Sequence, residues 1–214
     1  MQPSIANPLA ILKPKLSQRL FSLQEYLQKE EKAIERHEYF NGKIVKTPMA
    51  KGPHNIIAAN ILTAIKNGVK SLDKKFIVFG SNQKIYLPQF NFGLYPDALV
   101  VAEQPLYWDE NQVLLINPIL IVEILSKSTG AYDRGDKFTE YKSLDSFKEY
   151  VLIEQNRFWI ETRFREESNL WRDTFNTAIN SQITLRSLGF SIDMSDVYEN
   201  VVFEDRGKKA SKKS

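Results

Sequence analysis

NPILIVEILSKSTGAYDRGDKFTEYKSL, from Asn117 to Leu144, passes from an apolar segment through a polar turn into an amphipathic one. Ile119 to Leu125 is too short to cross a membrane, and its β-branched residues read as a buried strand. Glu123 stands in the middle of that run, where a sheet core would hold Val or Ile. A lone buried charge costs several kcal/mol, so this carboxylate calls for a partner, a proton or a metal. A turn of Ser, Thr and Gly follows, and the spacing then predicts a helix from about Asp133 to Leu144. On it Lys137, Tyr141 and Leu144 fall at i, i+4 and i+7, with Phe138 flanking the stripe. Lys137 is therefore expected to point toward the sheet with the aromatics.

Upstream of this stretch, the residues to about Arg19 carry three prolines and little periodicity, which predicts a loose arm over 1–20. Ser22 followed by Glu25 has the spacing of a capping box and starts a short helix over LQEYLQKEE. HEYFNGKIVK places Asn41-Gly42 between two alternating segments, which predicts a two-residue hairpin with Phe40 facing Lys43, Tyr39 facing Ile44 and Glu38 facing Val45. Pro53 opens a long helix to about Leu72, with Ile57, Ile61, Ala64, Ile65 and Gly68 inward and His54 one turn before Ile57. Strands are expected at Phe76 to Leu87 and at Tyr95 to Ala102, the second headed by Asp97 in YPDALVVAE. Gln104 to Val113 reads as a loop.

Downstream, Phe147 to Glu154 is a further strand, and Phe158 to Phe164 and Asn169 to Phe175 continue as a meander. Gly189 to Phe203 reads as short helical or irregular chain, and 204–214 as a disordered basic tail. With no internal repeat and no linker, 21–203 reads as one α/β domain built on a mixed β-sheet.

The sequence has no cysteine and two histidines, which excludes thiolate and all-histidine metal sites and is compatible with a reducing cytosol. Any metal would be held by oxygen, favouring Mg²⁺ or Mn²⁺. The net charge of +3 resides in the tail, where Arg206, Lys208, Lys209, Lys212 and Lys213 face only Glu204 and Asp205. Bulk charge therefore says little for a polyanionic partner. IANPLAIL near the N-terminus lacks a preceding basic residue and does not look like a signal peptide, and no window is long enough for a membrane span.

Asp97 and Glu123, on neighbouring strands, can bring two carboxylates together, and like charges that close need a shared proton or a cation between them. A divalent metal satisfies both, with the main-chain carbonyl of Ile124 as a neutral ligand. Lys137 can then orient or deprotonate a water, and Glu38 can position that water or hold a second ion. The set suits metal-dependent phosphodiester hydrolysis. Each residue also has a plainer reading. Glu123 and Lys137 can form a structural ion pair, Asp97 can end a turn, and His54 can cap or pack its helix. Glu38 is expected on the solvent face of its hairpin.

HEYFNGKIV, a histidine opening a helix, YPDALVV, ILIVEILSKST and DRGDKFTEY, in this order, resemble the restriction endonuclease family often called Uma-two, of the PD-(D/E)XK superfamily. The resemblance runs from about Phe21 to at least Ile153. It implies a restriction-endonuclease-like fold, in which a mixed sheet is flanked by helices and followed here by the antiparallel meander. It also implies a divalent cation and cleavage of DNA. Position by position, Glu38 matches the first acidic motif, Asp97 the PD aspartate and Glu123 the (D/E) of the third. The lysine expected two residues after the acid is Leu125 here, and the resemblance to this family moves the role to Lys137. Lys127 occupies the position of a usual proline. His54, Lys127 and Arg134 are candidate substrate contacts, although the two basic residues also read as ordinary surface charge. A homodimer is expected because a duplex has two strands to cut and two-fold dimers are the commonest oligomers. The alternative is a catalytically silent protein of the same fold that binds nucleic acid or another protein.

Overall fold

The computed structural model describes residues 19–203. The predicted tail and all but the last two residues of the predicted arm lie outside them. Helix α1, Leu23–Glu30, carries the expected capping box: the Ser22 side chain accepts from the Glu25 N–H, and the Glu25 side chain accepts from the Ser22 N–H. The hairpin of β1, His37–Phe40, and β2, Lys43–Lys46, has the predicted register. Its turn places Asn41 at φ 43° and Gly42 at φ 94°, a left-handed pair that only this kind of dipeptide adopts cheaply. Helix α2, Gly52–Lys70, follows with Pro53 in its first turn and Ile57, Ile61 and Ile65 fully buried. At Gly68 the phenyl ring of Phe190 comes so close that a β-carbon would lie 2.2 Å from it.

The structure corrects the run predicted as one strand from Phe76 to Leu87. It is two strands, β3 at Phe76–Gly80 and β4 at Lys84–Leu87, and they belong to different sheets. Ser81 and Asn82 turn between them, with the Gln83 N–H donating to the Gly80 carbonyl at 3.1 Å. After β5, Phe92–Leu94, the chain returns through Tyr95-Pro96-Asp97 to the other sheet as β6, Ala98–Ala102. Short β7, Leu114–Leu115, precedes β8, Leu120–Leu125. The helix predicted from Asp133 to Leu144 is also corrected. It breaks at Gly135 into α3, Gly130–Arg134, and α4, Asp136–Tyr141. Glycine's conformational freedom makes the break cheap there.

Strands β9, Glu149–Glu154, β10, Ile160–Glu167, and β11, Leu170–Asn176, form the expected meander. The chain then makes a hairpin of β12, Gln182–Leu185, and β13, Phe190–Asp193, before α5, Met194–Val197. That hairpin replaces part of the segment expected to be irregular.

A six-stranded sheet runs β11-β10-β9-β8-β6-β3, with β8 and β9 parallel and the other neighbours antiparallel. A second sheet runs β2-β1-β5-β4-β7. Alternation along β8 decides which layer each side chain meets. Leu120, Val122 and Ile124 pack with α2 and the C-terminal hairpin, whereas Ile121 and Leu125 pack with the second sheet and with Tyr141 and Leu144. Glu123 takes the latter face by the same alternation.

Candidate active site

The ladder between β6 and β8 ends at Ala98 opposite Val122, and Asp97 closes it. The Asp97 N–H donates to the Val122 carbonyl at 3.1 Å, and its Oδ2 accepts from the Ile124 N–H at 2.7 Å. The N–H and C=O of one strand residue lie along the same edge, so the Ile124 carbonyl emerges beside the Asp97 carboxylate. One residue back, Glu123 Oε1 accepts from the Tyr141 hydroxyl and from Lys137 Nζ, each at 2.8 Å. Asp133, one helical turn before Lys137, places Oδ1 3.6 Å from the same ammonium. From the second sheet, Glu38 Oε1 accepts from the Tyr95 N–H at 3.1 Å. His54 Nε2 lies 3.3 Å from Asp97 Oδ1, while its Nδ1 is buried without a partner among the described residues. Glu38, His54, Asp97, Glu123, Asp133 and Lys137 all line one cavity of about 330 Å³ at the carboxyl ends of β8 and β9. In open α/β sheets that is where ligands usually enter.

Charge is crowded in this space. Glu123, Asp133 and Lys137 are only 4%, 4% and 5% exposed. Burial pushes the Glu123 carboxyl well above the usual range; Lys137 opposes the shift, and Asp133 and Asp97 add to it. Glu38 and Asp133 are raised for the same first reason, loss of water, each with Lys137 pulling the other way. Burial alone would lower the Lys137 pKa, but Glu123, Asp133 and Glu38 outweigh it and hold the ammonium well above its ordinary value. Lys137 thus answers three carboxylates, Glu123, Asp133 and Glu38, while Asp97 on the same cavity lies against His54.

The structure brings Glu38, His54, Asp97, Glu123, Ile124, Lys127 and Lys137 to the wall of the same cavity. Lys127 is exposed at the rim. Glu38 is a correction to its expected solvent-facing position. Tyr39 and Phe40 beside it are both buried, so both faces of the hairpin are covered and alternation cannot assign an outward side. Arg134 is not brought to the cavity, because its Nη2 pairs with Glu154 Oε1 at 2.7 Å. Asp133 escaped the sequence reading although its position, four residues before Lys137, placed it on the same stripe. Gln155 escaped it because it sits in a stretch that reads only as a turn.

The donor set suits a hard divalent cation. Asp97 and Glu123 offer carboxylate oxygens, Ile124 a carbonyl, and the surplus of negative charge is what such an ion would neutralise. Among the described residues, no group of three His, Asp or Glu side chains is arranged to hold an ion by itself. No helix among the described residues is long and apolar enough to cross a membrane.

The fold and the chain have relatives. The profile of the Uma2 family, described as "Putative restriction endonuclease", matches residues 23–195. "Uncharacterized protein sll1609" of Synechocystis sp. (strain ATCC 27184 / PCC 6803 / Kazusa) is 30% identical over 165 residues, which is 77% of this chain and 92% of that protein. "Uncharacterized protein slr1290" of the same organism is 30% identical over 191 residues, 89% of this chain and 95% of its own length. The crystal structure of a "putative nuclease belonging to DUF820" from Anabaena variabilis ATCC 29413 superposes with a TM-score of 0.65 at 19% identity, covering 83% of this chain and 97% of that one. The likeness supports a restriction-endonuclease-like α/β fold with mixed sheets flanked by helices.

Proposed function

Since the chain belongs to the Uma2 restriction endonuclease family, we propose that it is a divalent-metal-dependent endonuclease that hydrolyses DNA phosphodiester bonds. The observation that carries this reading is the convergence of Glu38, Asp97, Glu123 and Asp133 on the cavity that also holds the buried Lys137. A purely structural site has little reason to bury Glu123, Asp133 and Lys137 together beside further carboxylates, because each desolvated acid left without a full set of donors costs stability. Asp97, Glu123 and the Ile124 carbonyl would hold Mg²⁺ or Mn²⁺. When bound, such an ion acidifies water and neutralises charge developing on a phosphoryl group.

The protein's own groups have separable tasks. Lys137 lines the cavity with its ammonium 2.8 Å from Glu123 Oε1, and from there it can orient the attacking water or a phosphate oxygen. Glu123 and Asp133 fix that ammonium from two sides. The N–H groups of Ile124 and Tyr95 fix the Asp97 and Glu38 carboxylates, so neither acid needs to reorganise when substrate arrives. Glu38, entering from the second sheet, would position the water. His54 steadies Asp97, and Lys127 at the rim is available to a flanking phosphate. The active unit on duplex DNA is proposed to be a homodimer; sedimentation that shows only monomer at micromolar concentration would count against that part.

The test is cleavage of plasmid and of single-stranded DNA with Mg²⁺ or Mn²⁺, by the wild type and by Asp97→Ala. The reading expects cuts by the wild type, abolished by chelation and by the substitution. It fails if the wild type leaves every nucleic acid intact while the alanine variant folds normally and is the more stable of the two.

A further inference from the structure

Gln155 follows the last residue of β9 and is 8% exposed, yet its side-chain amide makes no hydrogen bond among the described residues. It is also absent from the fully occluded polar atoms without partners, and it lines the cavity beside Ile124 and Glu123. The amide therefore keeps contact with solvent, and Gln155 is part of the wall of the cavity that the acids also line. With no protein partner, the amide is left to cavity water, which a ligand group of matching polarity can displace. Such a group is understandable where a ligand completes it.

The backbone that carries it is held in place. Ile124 pairs with Ile153 and Leu125 with Glu154, so Gln155 lies one step beyond the paired carboxyl ends of β8 and β9. The Glu154 N–H donates to the Trp159 carbonyl at 3.0 Å, closing the turn. The Tyr198 hydroxyl donates toward the carbonyls of Glu154 at 2.9 Å and Trp159 at 2.8 Å, and accepts from the Trp159 N–H at 3.1 Å. Arg134 holds the Glu154 carboxylate at 2.7 Å. A polar group on a rigid support is what selective recognition requires.

We infer that Gln155 is a specificity-determining residue whose amide hydrogen-bonds the nucleotide next to the scissile phosphodiester. The inference rests on the endonuclease reading above. An amide offers a donor and an acceptor together, which suits a base edge, the sugar or a phosphate oxygen. Neighbouring Asn156, also on the cavity wall, extends the same chemistry outward. Charge plays no part in this contact, so it adds selectivity without adding to the salt-dependent binding that Lys127 would supply.

The test compares the wild type with Gln155→Met, nearly the same size but unable to donate or accept well, in Mg²⁺ or Mn²⁺. The substrates are oligonucleotides that vary one base at a time around the cleaved bond. Loss of one good contact should lower kcat/KM by about 10-fold or more, mainly through KM, with the melting temperature unchanged. If the loss is confined to certain bases, and the wild type's context preference flattens, the amide reads a base edge. A loss that is uniform across all bases makes it a backbone contact and overturns the specificity role. Unchanged kcat/KM and context preference overturn the inference and leave the endonuclease reading standing. A loss of activity that merely follows a lower melting temperature also overturns it, by making Gln155 a packing residue. A wild type that cuts no nucleic acid removes the endonuclease reading and this inference with it.

Discussion

Glu123 and Glu149 sit on the neighbouring parallel strands β8 and β9, and they are 4% and 0% exposed. Glu149 faces the C-terminal hairpin, and donors reach both of its oxygens. Oε1 accepts from the Arg186 N–H at 3.0 Å, and Oε2 from the Ser187 N–H at 2.8 Å and the Ser187 hydroxyl at 2.7 Å. Glu123 faces the cavity, and both of its donors, Tyr141 and Lys137, converge on Oε1. Its Oε2 accepts nothing among the described residues, and three further carboxylates line the same space. One buried acid is thus completed by the fold and pins a hairpin to a strand. The other is left incomplete among like charges. Burial alone does not separate a structural carboxylate from a working one; the match between its lone pairs and its donors does.

The contrast should be sharpest in substitutions. Asp97→Ala or Glu123→Gln should lower the rate of DNA cleavage by about 10³-fold. Thermal stability should hold or rise in Glu123→Gln, where repulsion in the cavity is relieved and the shape is kept, and change little in Asp97→Ala, where relief of repulsion offsets the lost Ile124 N–H contact. Glu149→Ala should do the reverse. It orphans the N–H groups of Arg186 and Ser187, at about 1–3 kcal/mol each, which chemical denaturation would measure. Its cleavage rate per folded molecule should match the wild type. If Glu149→Ala inactivates the folded enzyme, or Glu123→Gln unfolds the protein without touching the rate, the distinction collapses.

Metal provides the next test. Saturating Mg²⁺ at about 100 times its dissociation constant should stabilise the wild type by about 2.7 kcal/mol and shift the melting temperature upward. The shift should vanish in Asp97→Ala and persist in Glu149→Ala. Equal shifts in all three proteins would place the ion elsewhere.

The smallest effect is a pH slope. Burial raises the Glu149 carboxyl above its ordinary 4.5, against hydrogen bonds from Ser187 and Arg186. The native state then binds the proton more tightly than the unfolded chain. The resulting stability is fully present below the ordinary value and is lost as pH rises through the raised one. Glu38, Glu123 and Asp133 shift in the same direction, so the metal-free protein should lose more stability over that window than Glu149 accounts for. In melting curves across that range, Glu149→Gln should remove a shallow part of the slope and Mg²⁺ the steeper part. A slope indifferent to Mg²⁺ would put the two glutamates on the same footing.

Much of this was legible in the sequence wherever local chemistry leaves one solution. Asn41-Gly42 fixed the hairpin register because few other dipeptides take two positive φ values in succession. The Lys137, Tyr141 and Leu144 stripe announced a lysine turned inward, and it survives the break at Gly135 because Asp133 and Lys137 still meet across it. Tertiary context decided the rest. The split of Phe76 to Leu87 between two sheets hinges on a turn at Ser81-Asn82 that apolar flanks concealed. The inward face of Glu38 depends on the second sheet closing over β1, which no periodicity encodes. Gln155 looks like any turn residue until β8, β9 and Tyr198 place it at the cavity.

The central claim is that Asp97, Glu123 and the Ile124 carbonyl hold one divalent cation beside Lys137. Anomalous diffraction from crystals soaked in Mn²⁺ tests it most directly. The account predicts a Mn²⁺ peak bounded by those three oxygen donors, lost in crystals of Asp97→Ala. A fully occupied Mn²⁺ site elsewhere on the protein with none in this cavity, or a peak that survives the substitution unchanged, would contradict it.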